Sequence, residues 1–179
     1  MSTRRRASTK AEILAAAARV LGTSDAASMG QIAVAAGVAR ATLYRYFPTR
    51  ESLLQALESA ANEEAQRLLA EANLDQVSVE EGLARAVRAL VAVGEHFIVL
   101  LRERRPPEPG FRTPLAELLE RGREAGLIGG GVPVPILVDL LLVVVGVCVR
   151  EGRELGMGSE DMSSAALRLF LGGARQTTQ

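Results

Sequence analysis

The amino-acid sequence contains very little cysteine, histidine and aromatic side chain. Its 179 residues include one cysteine (Cys148), one histidine (His96) and no tryptophan, and aromatics make up 3% of the chain. A single cysteine excludes an intrachain disulfide framework and fits a reducing compartment. One cysteine and one histidine are also too few for a His/Cys metal cluster within one chain. Few aromatics disfavour β-strands, so we expect neither a disulfide scaffold nor a β-protein.

Catalytic motifs are absent as well. The sequence has no paired metal ligands, no nucleophile elbow, no P-loop and no dinucleotide-binding fingerprint. We therefore expect a protein that is not an enzyme and that needs no cofactor or metal ion.

The sequence lacks a signal peptide and a clear membrane span. The basic start at residues 4–6 is followed by Lys10 and Glu12 instead of an uncharged apolar segment. The most apolar run, 132–149, contains prolines and Asp139, and it barely reaches the ~20 residues that a spanning helix needs. We expect this run to be a buried helix at a protein interface, in a cytoplasmic protein.

The net charge is zero, but the charge is unevenly distributed. Residues 1–55 carry eight cations and three anions, a balance of 8 − 3 = +5, and the remaining residues carry 13 cations and 18 anions, a balance of −5. Such asymmetry is a hint that one part of a chain contacts nucleic acid, although short basic segments are also common on ordinary solvated surfaces.

The hydrophobic pattern predicts an all-α protein of about nine helices, since apolar residues recur at helical spacing and no segment alternates with period two. Capping boxes are expected at Ser28 with Gln31 and at Ser78 with Glu81. Thr49 is expected to cap a helix, and Thr113 followed by Pro114 is expected to begin one. The predicted helices are 9–21, 28–36, 39–46, 49–73, 78–94, 94–105, 113–126, 133–154 and 159–172.

The most informative stretch is 29–48, which has the pattern of a helix-turn-helix. This motif needs a small residue where the two helices approach, provided by Ala33, and a turn that accepts positive φ, provided by Gly37. Its second helix presents its outer face to the major groove. Here that face combines groups that contact bases or phosphates, namely Arg40, Thr42, Tyr44, Arg45 and Tyr46.

Short motifs between residues 9 and 55 match one family of DNA-binding proteins. They are Ile13-Leu14 with Ala16-Ala17, Ile32-Ala33, Ala36-Gly37-Val38, Thr42-Leu43-Tyr44-Arg45-Tyr46-Phe47-Pro48 and Arg50-Glu51-Ser52-Leu53-Leu54. With these motifs the chain resembles the TetR family of transcriptional regulators. The family usually has serine at the position of Ala39, often glycine at that of Ala41, and usually lysine at that of Arg50.

The resemblance implies a three-helix DNA-binding domain over 1–48 and a helical ligand-binding and dimerisation domain over 49–179. It also implies a homodimer whose two recognition helices lie about 34–36 Å apart on a pseudo-palindromic operator. The DNA-binding residues would be Arg40, Ala41, Thr42, Tyr44, Arg45, Tyr46 and Arg50.

The last two predicted helices favour a dimer independently of the resemblance, because they are too apolar for a monomer surface. Two such helices from each subunit would form a four-helix bundle. The alternative is that both helices are buried inside a monomer. Close approach of the helices would use the small residues Gly146, Gly152, Ala165, Ala166 and Gly173.

We expect a ligand-responsive repressor that a small apolar molecule releases from DNA. The alternatives are a constitutive DNA-binding regulator without an effector, and an activator. Since each apolar candidate could equally be a core residue, the expected pocket remains a hypothesis. Its wall would consist of Leu68, Val93, His96, Phe97, Leu100, Leu101, Leu118 and Val144.

Several single residues have two possible roles. His96 is either a polar pocket residue or a structural histidine, and Cys148 is either a redox sensor or an inert core residue. Asp139 either meets a ligand or faces water. Arginines 4–6 form either an arm on DNA or a solvated tail.

Overall fold

A computed structural model describes residues 2–24, 26–94, 109–129 and 131–174, and within these residues the chain is helical and has no strand. The predicted all-α fold is thereby confirmed. The described helices are α1 (Ser2–Thr23), α2 (Met29–Ala35), α3 (Arg40–Tyr46), α4 (Arg50–Glu71), α5 (Val79–Val93), α6 (Pro109–Glu124), α7 (Val134–Glu154) and α8 (Ser159–Ala174), with a 3₁₀ turn at Leu74–Gln76 between α4 and α5. The predicted helix 94–105 lies almost entirely outside the described residues.

Local capping determines where several helices begin. Ser28 forms the predicted capping box with Gln31 at the start of α2, and Thr49 forms one with Ser52 at the start of α4. Ser78 accepts a hydrogen bond from the Glu81 backbone N–H. The predicted reciprocal bond at this third cap is wrong, because the Glu81 carboxylate instead accepts a hydrogen bond from Arg85 at 2.8 Å.

Two helix starts differ from the prediction. Helix α1 begins at Ser2, before the expected start at residue 9, so residues 4–6 have helical backbone, and a contact of these arginines with DNA remains a prediction. Helix α6 begins at Pro109, which places Pro114 inside the helix and makes the predicted cap at Thr113 wrong. At this position proline cannot donate a hydrogen bond to the carbonyl of residue 110, and its ring also crowds that carbonyl.

The buried apolar residues form two clusters, and α4 contributes to both. The first cluster runs from Ile13 to Leu57 and joins α1, α2 and α3 to the first two turns of α4. The second begins at Ala61 and extends to Ala174. One continuous helix is therefore anchored in both clusters.

Helices α7 and α8 pack closely against each other within one chain. A Cβ atom at Gly152 would lie only 2.6 Å from the Cγ atom of Met162, so any larger residue here would require Met162 to move. Gly146 and Ala166 are buried in the same chain. At Gly152 the close helix approach that the sequence predicts therefore occurs within one chain. None of the helices in the described part of the chain combines the length and apolar character that crossing a bilayer requires.

Candidate nucleic-acid interface

A tight turn joins α2 to α3 and fixes the angle between them. Gly37 has φ of 64°, in the left-handed region where a side chain adds strain. Its N–H donates to the Val34 carbonyl at 3.0 Å, and the Val38 N–H donates to the Ala33 carbonyl at 3.0 Å. The sequence-based assignment of Gly37 to the turn agrees with this geometry.

Helix α3 is anchored on one face and open on the other. Leu43 is fully buried, and Phe47, just after the helix, is buried too. Arg40, Ala41, Tyr44 and Arg45 are exposed, while Thr42 and Tyr46 are half-buried. The structure therefore places the predicted α3 residues on the side of the helix that faces away from the buried Leu43 and Phe47.

The Arg45 guanidinium lies over the Tyr46 ring, with Cζ 5.6 Å from the ring centroid. The Tyr46 ring in turn lies 6.5 Å from the Phe47 ring, in a tilted arrangement. A cation above an aromatic face is attracted by the ring quadrupole. The two contacts connect the exposed guanidinium of Arg45, through the Tyr46 ring, to the buried Phe47.

Arg40 and Ala39, at the start of α3, differ in their side-chain contacts. Arg40 lies against the first turn of α2, where a Cβ atom on Gly30 would be 3.7 Å from the Arg40 Cζ atom. Ala39 occupies the N-cap position of α3 and makes no side-chain capping hydrogen bond. The TetR family usually has serine here, and alanine cannot provide the capping hydrogen bond that serine would accept. The uncapped start of α3 agrees with this expectation.

Arg50 contacts the protein itself. Its Nη1 atom donates a hydrogen bond of 2.5 Å to the Ala27 carbonyl oxygen, in the connection that precedes α2. This bond ties the start of α4 to the start of α2, and no sequence pattern signals it because the two residues are 23 positions apart. A contact between Arg50 and a DNA phosphate remains a prediction.

Replacing Arg50 by methionine is expected to lower the free energy of unfolding by about 1.5–3 kcal/mol, because it removes a hydrogen bond from a charged donor. Thermal denaturation measures this effect. If Arg50 also binds a phosphate, the slope of log K for DNA binding against log salt becomes less steep by about one for each phosphate that the variant no longer neutralises. An unchanged melting temperature would contradict the structural role, and an unchanged slope would contradict the phosphate contact.

The predicted pocket residues are only partly described. Val93 and Leu118 are buried, and Leu68 and Val144 are half-buried against the second cluster. These four positions have the environment of core residues, and their role in a ligand site remains a prediction. The other predicted wall residues, His96, Phe97, Leu100 and Leu101, lie outside the described residues.

A surface cleft of about 280 Å³ opens between the end of α4, the 3₁₀ turn and α6. Leu118 is the one predicted wall residue among those that line it. The guanidinium of Arg121 donates to the carbonyl oxygens of Leu74 and Val77 at 2.8 and 2.6 Å, so this arginine holds the connection between α4 and α5. The cleft lies at the end of α4 that is remote from α3.

The surroundings of Asp139 and Cys148 favour structural roles for both residues. Asp139 forms a 2.6 Å ion pair with Arg112 that joins α7 to α6, and the carboxylate is largely exposed, which agrees with an aspartate that faces water. Burial raises the pKa of the half-buried Cys148 thiol. A raised pKa reduces the thiolate fraction, and the thiolate is the reactive form. This environment favours an inert cysteine.

The outer face of α7 exposes an apolar stripe. Its four residues, spaced at i, i+4, i+7 and i+11, are between 41% and 55% exposed, and Leu169 on α8 is 63% exposed. Apolar residues repeated along one helix face mark an interaction surface. The stripe consists of Ile136, Leu140, Val143 and Val147.

A family model matches residues 13–57, which span α1 from Ile13 to the second turn of α4. Its description is "Bacterial regulatory proteins, tetR family". The match covers the first buried cluster and the exposed face of α3, which are the parts with the geometry described above.

Two curated proteins are similar to the chain. The HTH-type transcriptional regulator NfxB of Pseudomonas aeruginosa is 24% identical over 158 residues, which are 83% of this chain and 84% of that protein. The HTH-type transcriptional repressor LfrR of Mycolicibacterium smegmatis is 36% identical over 86 residues, which are 48% of this chain and 46% of that protein.

One similar solved structure is the crystal structure of LfrR from Mycobacterium smegmatis, described as a TetR-like transcriptional regulator. Its TM-score is 0.71 at 25% sequence identity, and the match covers 93% of this chain and 99% of that chain. The complex of LfrR with proflavine has a TM-score of 0.69 at 25% identity and covers 95% of this chain and 99% of that chain. The likeness therefore extends beyond the N-terminal helices to the whole helical architecture.

Proposed function

Because the chain belongs to the tetR family of bacterial regulatory proteins, which are transcriptional regulators and not enzymes, we propose that it is a ligand-responsive repressor. It binds a pseudo-palindromic operator as a homodimer in the cytoplasm. A small, largely apolar molecule releases it from the DNA.

The observation that carries this proposal is the outer face of α3. Four side chains are exposed there while Leu43 and Phe47 anchor the helix from below. Arg45 suits bidentate contact with guanine, and Thr42 suits contact with a thymine methyl group or a base edge. Arg40 and Arg50 supply positive charge for phosphates, and the +5 balance of residues 1–55 adds long-range attraction.

The dimer supplies the spacing that two recognition helices need. The apolar stripe on α7 and the exposed Leu169 on α8 would be covered by the same surface of a second copy, as two-fold symmetry requires. Four helices, two from each subunit, then form the interface. Val143 lies in the middle of the stripe and is expected to lie near the centre of this interface.

The response to a ligand follows from the position of α4. This helix shares Leu53, Leu54 and Leu57 with the first cluster and Ala65 and Leu69 with the second. Two positions of α4 would give two separations of the α3 helices in the dimer. A ligand at the second cluster shifts the equilibrium between these positions only if it binds one of them more tightly. The LfrR complex with proflavine supports the idea that a regulator with this fold accommodates a small organic molecule.

The experiment is a selection of binding sites from a random double-stranded DNA library, followed by a quantitative binding assay. The expected result is a palindromic consensus with half-sites about one helical turn apart. Failure to enrich any sequence would overturn the proposal. Compounds that raise the melting temperature are then tested for release of the selected operator, and binding that no compound relieves would favour a constitutive regulator.

A further inference from the structure

Asn62 is a buried polar residue without a hydrogen-bond partner. Its relative exposure is 2%, and neither Oδ1 nor Nδ2 makes a hydrogen bond. Buried side-chain polar atoms in folded proteins are nearly always paired, with protein groups or with ordered water. Within the described part of the chain, both polar atoms of this buried amide are therefore available to a partner from outside the chain.

The position of Asn62 along α4 connects it to the regulatory hypothesis. It follows Ala61, where the second buried cluster begins, and it comes five residues after Leu57, the last member of the first cluster. A ligand at Asn62 would therefore contact α4 at the point where the helix passes from one cluster to the other.

The side of α4 on which Asn62 lies follows from Gln66, one helical turn further on. A Cβ atom at Gly110, in the first turn of α6, would lie 2.5 Å from the Gln66 Nε2 atom. Residues four apart share one helix face, so Asn62 lies on the α6 side of α4, one turn closer to the DNA-binding helices than this contact. The surface cleft at Leu69 lies in the opposite direction along the same helix.

The surroundings of the amide define the chemistry of its partner. Ala61 and Ala65 beside it are buried and aliphatic. Glu58, one turn before Asn62, is already engaged in an interaction of its own. A neutral amide offers one acceptor oxygen and two donor hydrogens, whereas an ion at such a site would lack a counter-charge.

We propose that Asn62 is the specificity-determining residue of the effector site. The effector has an aliphatic body and one uncharged group that both donates and accepts hydrogen bonds, such as a carboxamide. This inference rests on the proposed ligand response and adds to it the residue and the chemical class of the effector.

The test uses four probes with the same C8 chain: octanamide, octan-1-ol, octanoate and octylammonium. Calorimetry of the full-length wild-type protein is expected to give octanamide the tightest binding, about tenfold or more tighter than the two ions. In Asn62→Leu, octanamide is expected to bind about tenfold or more weakly than in the wild type, because a hydrogen bond in an apolar site is removed. Octanamide and octan-1-ol, the two uncharged probes, are expected to bind Asn62→Leu with equal affinity.

The matched control is Gln66→Leu, which removes a half-buried amide on the same face, and it is expected to leave the preference for octanamide unchanged. Asn62→Leu is expected to have a melting temperature equal to or above that of the wild type, since an apolar group of similar shape replaces an unpaired amide. Asn62→Ser serves as a second variant with the same expected loss of preference.

Three results would overturn the proposal: no binding of octanamide by the wild type, equal binding by the wild type and Asn62→Leu, or a crystal structure with ordered water alone on the amide. Operator binding without any probe is measured separately. If the wild-type protein binds operator DNA while its probe preference is unaffected by Asn62→Leu, this inference fails and the proposed function stands. If the wild type binds no operator, the proposed function fails.

Discussion

Replacing Arg45 by alanine is expected to weaken specific operator binding by about 30-fold or more while the fold stays intact. A bidentate arginine contact with guanine contributes about 1–3 kcal/mol of discrimination. A dimer loses two such contacts, so specific affinity is expected to fall by about 2–6 kcal/mol, or roughly 30-fold to 10⁴-fold. Arg45 is exposed, and its contact with the Tyr46 ring contributes only about 0.5–1 kcal/mol at such a site, so circular dichroism and the melting temperature should change little.

Arg67→Ala provides the control for this experiment. It also removes one cation per subunit, but Arg67 lies on the surface of α4 and pairs with Glu64 and Glu71 at 2.7 Å. Operator affinity is expected to stay within about threefold of the wild type, since Arg67 lies beyond the first cluster and its charge is already paired with two carboxylates. If Arg45→Ala binds the operator as tightly as Arg67→Ala does, Arg45 is not a base-reading residue.

Replacing Val143 by glutamate is expected to dissociate the dimer. Val143 is 49% exposed in the single chain, so the monomer can keep the carboxylate in water. In a two-fold interface, two carboxylates would be buried without partners, and burying each ion costs several kcal/mol. Dimerisation is expected to weaken by more than about 4 kcal/mol, or roughly 1,000-fold, and operator binding should be lost with it.

Sedimentation equilibrium at micromolar concentration measures this change. The wild type is expected at twice the chain mass of 19.0 kDa, and Val143→Glu at the mass of a single chain. Val34→Glu makes the same change on α2, at a residue that is 81% exposed and lies outside the stripe, and it should remain a dimer. A dimeric Val143→Glu, or a monomeric wild type, would contradict the proposed interface.

The helix-turn-helix could be predicted from sequence because each of its requirements is local. The Ser28 cap, the Gly37 turn and the alternation of Leu43 with exposed Tyr44 and Arg45 depend on residues at most a few positions apart. Backbone geometry and helical periodicity therefore specify them without knowledge of the rest of the chain. The start of α6 was predicted incorrectly because the prediction used only local residues. Thr113-Pro114 has the local pattern of a helix start, but the helix already begins at Pro109.

The amino-acid sequence alone was enough to predict an all-helical protein, a basic N-terminal part and an open face on α3. The three-dimensional structure was needed to show which distant groups contact each other and which polar groups stay unpaired. The bond from Arg50 to Ala27, the contact of Gly152 with Met162 and the orphaned amide of Asn62 each depend on how distant segments approach one another. Hydrogen-bond pairing and close packing are properties of contacts in space, and a pattern of residue types along one helix does not specify them.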